Sequence, residues 1–326
     1  MKDTVNYKIL GLLICISFAL GCGKADIDML QGNQDVYSSV YMPQAVNSPA
    51  VHQFSFSNTP DTIFYGANYG GPGILSADIQ VNFEEDAALV AKFNETNFTN
   101  YKAMPAGSFA FEKNTVVLSK AKQSTDPLRI SIFTDKLDGV GGYLLPVTIK
   151  TDGLIKVNES LKTTYYLINA TYATNPYVSF DNSTWEIVSL SSEETTGEGV
   201  ANGRAIYAFD KNGATFWTTQ WKTAKPGPPH IIAVDMKEEK KLRGFIITGR
   251  KETTGLVKAT GNPRDIIIQT SMDGITWTYS QSFALANVLE NTIYLNYAQM
   301  ARFFKITINA SQGDTYLTHI AELSAF

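Results

Sequence analysis

The stretch that decides the fold class is Ile266-Ile267-Ile268-Gln269-Thr270-Ser271-Met272-Asp273-Gly274-Ile275-Thr276-Trp277. A run of β-branched residues leads into Asp273-Gly274, and glycine tolerates the positive φ that a tight hairpin turn needs. We therefore expect two antiparallel strands that meet at this turn.

The same alternation of strand runs and turn residues extends over the rest of the chain. β-branched and aromatic residues alternate with polar ones, and Gly, Pro, Asn and Asp separate the runs. One exception is 86–94, where apolar residues predict one or two helical turns. The sequence predicts an all-β protein with two β-sandwich domains. The strands expected in the first half are 52–56, 77–83, 115–118, 128–133, 143–149 and 164–168.

Composition limits the class of partner. The chain has 326 residues, 44% of them hydrophobic, which is enough to form two ordinary cores. Its formal charge of -4 provides no positive field for a polyanion, so nucleic acid is not an expected partner. Three His and two Cys, widely spread, give no recognisable metal spacing or disulfide framework.

The amino terminus predicts export. Lys2 and Lys8 precede an apolar run, 9–20, that is too short to span a bilayer. Residues 18–22 resemble a bacterial lipobox, which implies a lipoprotein signal peptide over 1–21 and acylation of Cys22. A plain secretory peptide with an incidental Cys is the alternative. On the lipobox interpretation, 22–39 is a polar tether and lipid anchors the protein in the outer membrane, at the cell surface.

A domain boundary is expected where a strand-like run ends at Ala173-Thr174-Asn175-Pro176. The preceding segment, 40–174, resembles domain of unknown function 1735, found in surface lipoproteins of glycan-degrading Gram-negative bacteria. The resemblance rests on 81–83, the 100–105 turn, 143–149 and 157–160, which are packing and turn residues. It implies a β-sandwich spacer and identifies no site.

The segment 176–326 carries a more specific pattern. Four ordered motifs, at 208–217, 229–236, 271–277 and 301–306 with 320–323, resemble the discoidin, or coagulation factor 5/8 type C, domain. Bacterial members with this layout resemble carbohydrate-binding module family 32. The resemblance implies a jelly roll in which loops at one end hold a sugar.

A calcium site is expected in this second domain. Asp210, Asn212 and Thr215 concentrate hard oxygen donors within six residues, and the resemblance implies that Glu322 lies beside them. Calcium takes six to eight oxygen ligands at flexible geometry. Lys211 stands where the family usually has Gly, so its side chain must be directed away from any ion. The alternative is an Asx-type turn without metal.

Three residues are candidates for sugar contacts. Arg250 and Asn262 lie where the resemblance implies the Arg and Asn ligands of the family, and the planar guanidinium can bridge two adjacent hydroxyls. Tyr316 is the candidate stacking platform, because a pyranose offers an apolar C–H face. The alternatives are that Arg250 is a solvated strand end, that Asn262 is only a turn residue before Pro263, and that Tyr316 is a half-buried residue of the sandwich.

Two further positions belong to the predicted site. Thr218 stands directly after Trp217, where galactose-binding members carry His, and this removes the reason to name galactose. Trp221 is expected to line the same end of the sandwich. Trp217 is expected in the core, and His230 is expected to be structural.

No motif for catalysis is present in the sequence. The pairs Glu84-Glu85, Glu193-Glu194 and Glu238-Glu239 lie in polar contexts typical of solvated surface, so we do not expect an enzyme. The leading hypothesis is a membrane-anchored, non-catalytic glycan-binding lipoprotein that captures oligo- or polysaccharide for a polysaccharide-utilisation system, beside an uptake complex and glycosidases. The alternative is a protein-binding adhesin or assembly factor.

Overall fold

A computed structural model describes residues 38–326, which divide into two compact units. The first comprises 38–52, 59–133 and 143–168, and the second comprises 53–58, 134–142 and 169–326. The predicted signal peptide, Cys22 and nearly all of the tether lie outside the described residues. Within residues 38–326, no helix combines the length and apolar character needed to cross a bilayer.

β-strands make up most of the regular structure, and the described residues contain one α-helix, α1, Leu89–Asn97. The strands are β1 Ser39–Tyr41, β2 Ala50–Ser55, β3 Asp61–Tyr65, β4 Asn68–Gly70, β5 Ile79–Glu85, β6 Lys102–Ala103, β7 Phe109–Phe111, β8 Thr115–Leu118, β9 Leu128–Ile132, β10 Tyr143–Thr151, β11 Thr163–Thr171, β12 Glu186–Leu190, β13 Trp217–Thr218, β14 His230–Thr248, β15 Pro263–Ser271, β16 Trp277–Ala284, β17 Glu290–Ser311, β18 His319–Ile320 and β19 Glu322–Ala325.

The first unit is built around a six-stranded sheet. Its order is β2-β11-β10-β5-β8, with β6 beside β10, and a three-stranded sheet, β3-β9-β7, and a two-stranded sheet, β1-β4, complete the unit. Side chains of β5 alternate as a half-buried strand should, with Ile79, Val81 and Phe83 in the core. All six strands predicted from the sequence are confirmed within a few residues.

Helix α1 covers one patch of the first unit. Buried Val90 packs on Leu144 and Leu167, which anchors the helix to β10 and β11. The helix begins and ends about three residues later than predicted. It terminates at Phe98, whose backbone is left-handed at φ 54° and whose N–H reaches the carbonyl of Asn94.

Two long strands, β14 and β17, organise the second unit. Residues 230–235 of β14 pair with 303–308 of β17, while 240–248 pair with 290–301, and register shifts separate the two ladders. The first ladder is extended by β12 and β15 and the second by β19. Each long strand thus serves two parts of the sandwich, as in a jelly roll.

An ion pair between a buried carboxylate and a half-exposed arginine lies at the register shift. Arg302 donates from Nε and Nη2 to the two carboxylate oxygens of Asp235, both at 2.8 Å. Asp235 is 4% exposed, and the Arg302 hydrogen bonds hold the pKa of this carboxyl well below its usual range. The bidentate pair fixes the point at which β14 and β17 change partners.

The expected hairpin at 273–274 is confirmed. Strands β15 and β16 pair antiparallel, Gly274 has φ 74°, and Asp273 Oδ1 accepts the N–H groups of Ile275 and Thr276. Trp217 is fully buried among Phe245 and Phe304, which confirms its place in the core. The protein is all-β, with two β-sandwich units.

Candidate functional site

An open cavity of about 500 Å³ lies on the second unit, at the end of its strands. Its wall is formed by 213–216, 250–253, Gly255 and Ala321. Three separate parts of the chain meet there: the loop before β13, the loop after β14 and the turn between β18 and β19. Arg250 is the predicted sugar ligand that lines this cavity.

The side chain of Arg250 is held by two contacts. Its guanidinium carbon lies 3.8 Å from the centroid of the Phe216 ring, a cation–π contact. Its Nη1 is 3.5 Å from Oε1 of Glu198, and its side chain is 23% exposed. Glu198 Oε1 also accepts the indole N–H of Trp221 at 3.1 Å. The guanidinium is therefore pre-oriented at the cavity wall, with part of its surface open to solvent.

Asn262 lies behind this wall, because it is 3% exposed. Its Oδ1 accepts the backbone N–H of Arg250 at 2.8 Å, and its Nδ2 donates to the carbonyl of Lys258 at 3.2 Å. These bonds brace the two ends of the 250–262 loop. In this arrangement the amide positions Arg250, and a ligand in the cavity does not reach it.

Thr218 is also inside the domain, with 0% exposure. Strand pairing of β13 with β18 places it opposite His319, and its hydroxyl lies 2.8 Å from Nδ1 of that imidazole. Burial lowers the pKa of His319 to about 3, with Arg250 and Lys258 adding to the effect. A sugar hydroxyl therefore has no access to Thr218, and the neutral imidazole packs under Phe216 at a centroid distance of 6.0 Å.

The two predicted aromatic ligands lie apart from the cavity wall. Trp221 is partly buried and uses its indole N–H on Glu198, so it supports Arg250 indirectly. Tyr316 has the ammonium of Lys225 4.7 Å from its ring centroid, and it is not among the residues that line the cavity. The ring nearest to Arg250 is Phe216, which the sequence reasoning did not name.

Glu194 organises the backbone beside Trp221. One carboxylate oxygen accepts from the N–H groups of Thr196 and Gly197 at 2.9 and 2.8 Å, and the other accepts from those of Trp221 and Lys222 at 3.1 and 2.9 Å. Burial opposes the charge, yet these bonds outweigh it and lower the pKa of Glu194 to about 2. The prediction of a solvated Glu193-Glu194 pair is wrong for Glu194, which is 1% exposed.

The four predicted calcium ligands come together where the 210–215 loop meets Glu322 at the start of β19. Oδ1 of Asp210 and Oε1 of Glu322 both accept the N–H of Asn212, at 2.9 and 2.6 Å. The hydroxyl of Thr215 donates to Asp210 Oδ2 and to the Asn212 carbonyl, both at 2.7 Å. Lys211 adopts φ 62° and places its ammonium 3.1 Å from Asp181, away from the loop as expected.

The electrostatics of this loop fit a cation. Burial, together with the hydrogen bond to Asp210, raises the pKa of Glu322 to about 7. Two carboxyl groups this close repel each other unless a proton or a cation lies between them. The donor set is two carboxylates with hydroxyl, amide and carbonyl oxygens, which suits Ca²⁺. Among the described residues, no cluster of three or more His, Cys, Asp or Glu side chains is arranged for a metal.

Comparison with protein families gives two matches. A family model for an N-terminal domain matches residues 34–156, and the model of the F5/8 type C domain matches residues 187–323. Residues 187–323 therefore form an F5/8 type C domain. The two matches confirm the predicted order of an N-terminal family domain and a discoidin-like domain. No curated protein shows significant similarity to this chain.

Several solved structures are similar to parts or to all of this chain. The C-terminal domain of a chitobiase from Bacteroides fragilis is 26% identical, covering 46% of this chain and 97% of that one, with a TM-score of 0.39. A family 32 carbohydrate-binding module from Clostridium perfringens NanJ, in complex with galactose, is 23% identical, covering 45% and 96%, with a TM-score of 0.36. A two-domain protein of unknown function from Bacteroides fragilis is 12% identical over 99% of this chain and 100% of that one, with a TM-score of 0.34.

The F5/8 type C domain thus brings together part of the predicted site and separates the rest. Arg250 lines the cavity, Asn262 and Trp221 support it from behind, and Thr218 and Tyr316 lie elsewhere. Phe216 and Glu198 were missed. The sequence carried no signal for Phe216, because it precedes β13 and is buried beside Trp217, so strand alternation does not set it apart.

Proposed function

We propose that the chain captures carbohydrate in the Arg250 cavity of its F5/8 type C domain and releases it chemically unchanged. The observation that carries this proposal is the guanidinium of Arg250, stacked on Phe216 and paired with Glu198 at the wall of an open cavity of about 500 Å³. A volume of this size is in the usual range for small-ligand sites.

Recognition rests on pre-orientation. The planar guanidinium presents several N–H donors, and the contacts with Phe216 and Glu198 fix its plane before a ligand arrives. Such a fork can bridge two adjacent sugar hydroxyls, and little rotamer entropy remains to be lost on binding. The rim residues Lys251 and Thr253 offer further polar groups along the same wall.

Binding without catalysis is the simpler assignment for this cavity. Among the described residues that line it, Glu252 is the one carboxylate, and it is paired with Lys258 at 3.1 Å. Glycoside hydrolysis commonly needs two carboxyl groups on opposite sides of the scissile bond. A cavity with one carboxylate, whose charge is already paired with a lysine, suits binding of a saccharide rather than its hydrolysis.

Calcium is part of the proposal as a structural brace. Asp210, Asn212, Thr215 and Glu322 would hold the ion, and it would supply the positive charge that their two crowded carboxyl groups need. Thr215 also lines the cavity. A rigid 210–215 loop therefore keeps the neighbouring Phe216 ring in place under Arg250.

The proposed cellular setting is supported by resemblance alone, that of 18–22 to a lipobox and that of the two domains to surface lipoproteins and sugar-binding modules. A lipid on Cys22 would hold the protein in the outer membrane, and capture beside an uptake complex and glycosidases would serve polysaccharide utilisation. A shallow site binds weakly, in the range of roughly millimolar to micromolar Kd. Many anchored copies facing one polymer would raise retention through avidity.

A glycan array probed with the full mature chain tests this function. We expect binding to at least one class of saccharide, reduced about tenfold or more by Arg250→Ala. Arg264→Ala is the matched control, because Arg264 is exposed and paired with its neighbour Asp265. If no plant, host or microbial saccharide on the array binds, and a protein partner binds tightly whether or not Arg250 is replaced by Ala, the domain is a protein-binding domain instead.

A further inference from the structure

A second open cleft, of about 380 Å³, lies on the first unit and has no part in the site described above. One wall is a single face of α1, formed by residues 89, 92, 93, 96 and 97, which are spaced three or four apart along the helix. The other wall is the turn 159–160 and the start of β11.

The floor of this helix cleft is aromatic. The rings of Phe93 and Tyr165 lie 4.7 Å apart at 43°, and both are partly exposed. Tyr165 is fixed through its backbone N–H, which donates to the hydroxyl of Ser48 at 3.0 Å. Two adjoining rings with solvent above them form an apolar platform of limited size.

The rim of the helix cleft is polar and charged. Lys162 and Glu159 form a pair at 2.7 Å at one side, while the Lys92 ammonium has no partner among the described residues. Thr96 and Asn97 each donate back to α1, to the carbonyls of Lys92 and Phe93. The Thr96 hydroxyl and the Asn97 carbonyl oxygen therefore remain available as acceptors.

Phe98, one residue beyond the cleft wall, adds an independent observation. It occupies the left-handed position after α1, at φ 54°, where Gly or Asn is usual and a bulky residue is strained. Its side chain is 97% exposed. An aromatic ring here costs the fold conformational energy and gains almost no burial, which makes it a candidate for contact with a ligand.

The strand that lines the helix cleft limits what can bind. β11 lies inside its sheet, between β2 and β10, and at the cleft the N–H of Tyr165 is taken by the Ser48 hydroxyl, so a peptide cannot add there as a further strand. Recognition has to come from ring faces and from side-chain donors and acceptors. A pyranose offers the matching surface, with an apolar C–H face bordered by hydroxyls.

We propose that the helix cleft of the first unit is a second saccharide-binding site, in which Phe93 and Tyr165 support the apolar face of a sugar ring, Lys92 and Thr96 bind its hydroxyls, and Phe98 contacts a neighbouring sugar unit. The choice of saccharide as the ligand rests on the proposed function of the F5/8 type C domain. With this site the first unit also binds the glycan and does not act only as a spacer.

Affinity electrophoresis of the full mature chain tests the proposal, in gels that contain galactan, xylan, mannan, soluble chitosan or mucin. The test variants are Phe98→Asn and Lys92→Ala, each made also in an Arg250→Ala background. Asn tolerates the left-handed backbone, so Phe98→Asn should leave the unfolding temperature unchanged or raise it. Phe64→Ala is the matched control, an exposed Phe of the same unit outside the helix cleft.

We expect Phe98→Asn and Lys92→Ala to weaken retention by at least one polysaccharide by roughly 3- to 10-fold, with and without Arg250. If Phe98→Asn and Lys92→Ala are retained as strongly as Phe64→Ala in every gel, the saccharide site in the helix cleft is wrong, and the assignment of the Arg250 cavity is unaffected. If the cleft variants weaken retention and Arg250→Ala does not, the sugar site in the Arg250 cavity is wrong and the one in the helix cleft stands. If no polysaccharide retains the protein, both sites are wrong. A concentration-dependent dimer that Phe98→Asn abolishes would assign the helix cleft to a second copy and overturn the proposal.

Discussion

Replacing Glu194 with Gln tests whether a buried carboxylate holds the loops behind the binding cavity. The two oxygens of Glu194 share four backbone N–H donors, from Thr196, Gly197, Trp221 and Lys222. Gln keeps one oxygen and turns the other into an NH₂ group. Two N–H donors therefore lose their acceptor and face another donor.

The size of the effect follows from those two donors. Each buried donor left without a partner costs about 1–3 kcal/mol, so Glu194→Gln should lower the free energy of unfolding by about 2–6 kcal/mol. For a domain of this size the unfolding temperature should fall by about 4–24 °C. Because the pKa of Glu194 is lowered to about 2, its contribution is present above the unfolded value near 4.5 and is lost as pH falls toward 2.

Thermal unfolding of the full chain, followed by calorimetry at pH 7, measures this loss. Glu193→Gln is the matched control, since Glu193 accepts one N–H, from Ala205 at 2.8 Å, and Gln can keep that bond, so its cost should stay below about 1 kcal/mol. If the unfolding temperature of Glu194→Gln lies within about a degree of the wild type, or if Glu193→Gln lowers it more, the stabilising role described for the four hydrogen bonds of Glu194 is wrong.

Three further predictions concern the same unit. Chelation of calcium should lower the unfolding temperature of the F5/8 type C domain, and calcium at 100 times its Kd should stabilise the domain by about 2.7 kcal/mol; identical melting curves with calcium and with chelator would contradict the metal site. Because burial lowers the pKa of His319 to about 3 from an ordinary 6.5, neutral His319 supports the fold above pH 6.5 and this support is lost as pH falls toward 3; an NMR titration that finds the imidazole protonating near pH 6.5 would refute the buried assignment. Arg302→Lys replaces a bidentate pair with a single contact on Asp235 and should lower the free energy of unfolding in chemical denaturation by about 1–3 kcal/mol. Lys305→Arg, a conservative change on the same strand, is the control. An equal loss in the two variants would show that the pair does not fix the register shift.

The strands and the order of the two domains could be predicted because their signals are local. Alternation of side chains along 79–83 and the Asp273-Gly274 turn depend on neighbouring residues only, so the sequence contains the information needed. The end of α1 was misplaced because a helix is expected to stop at Gly or Asn. Phe98 takes that left-handed position instead.

The candidate site could be predicted only in part because its geometry is not local. Arg250 follows a strand end and lies in the cavity as expected, but the depth of Asn262 depends on how the 250–262 loop folds back on itself. Thr218 became inaccessible through pairing with a strand a hundred residues later. Glu194 resembles a surface residue in sequence, and only the converging N–H groups of two distant loops explain its burial.

Isothermal titration of the full chain with the saccharide that binds best on an array tests the central claim most directly. The Arg250 cavity predicts saturable binding with a Kd between roughly millimolar and micromolar, weakened about tenfold or more by Arg250→Ala and unchanged by Arg264→Ala. Equal affinity in all three proteins, or cleavage of the saccharide during the titration, would contradict the claim that this cavity captures carbohydrate.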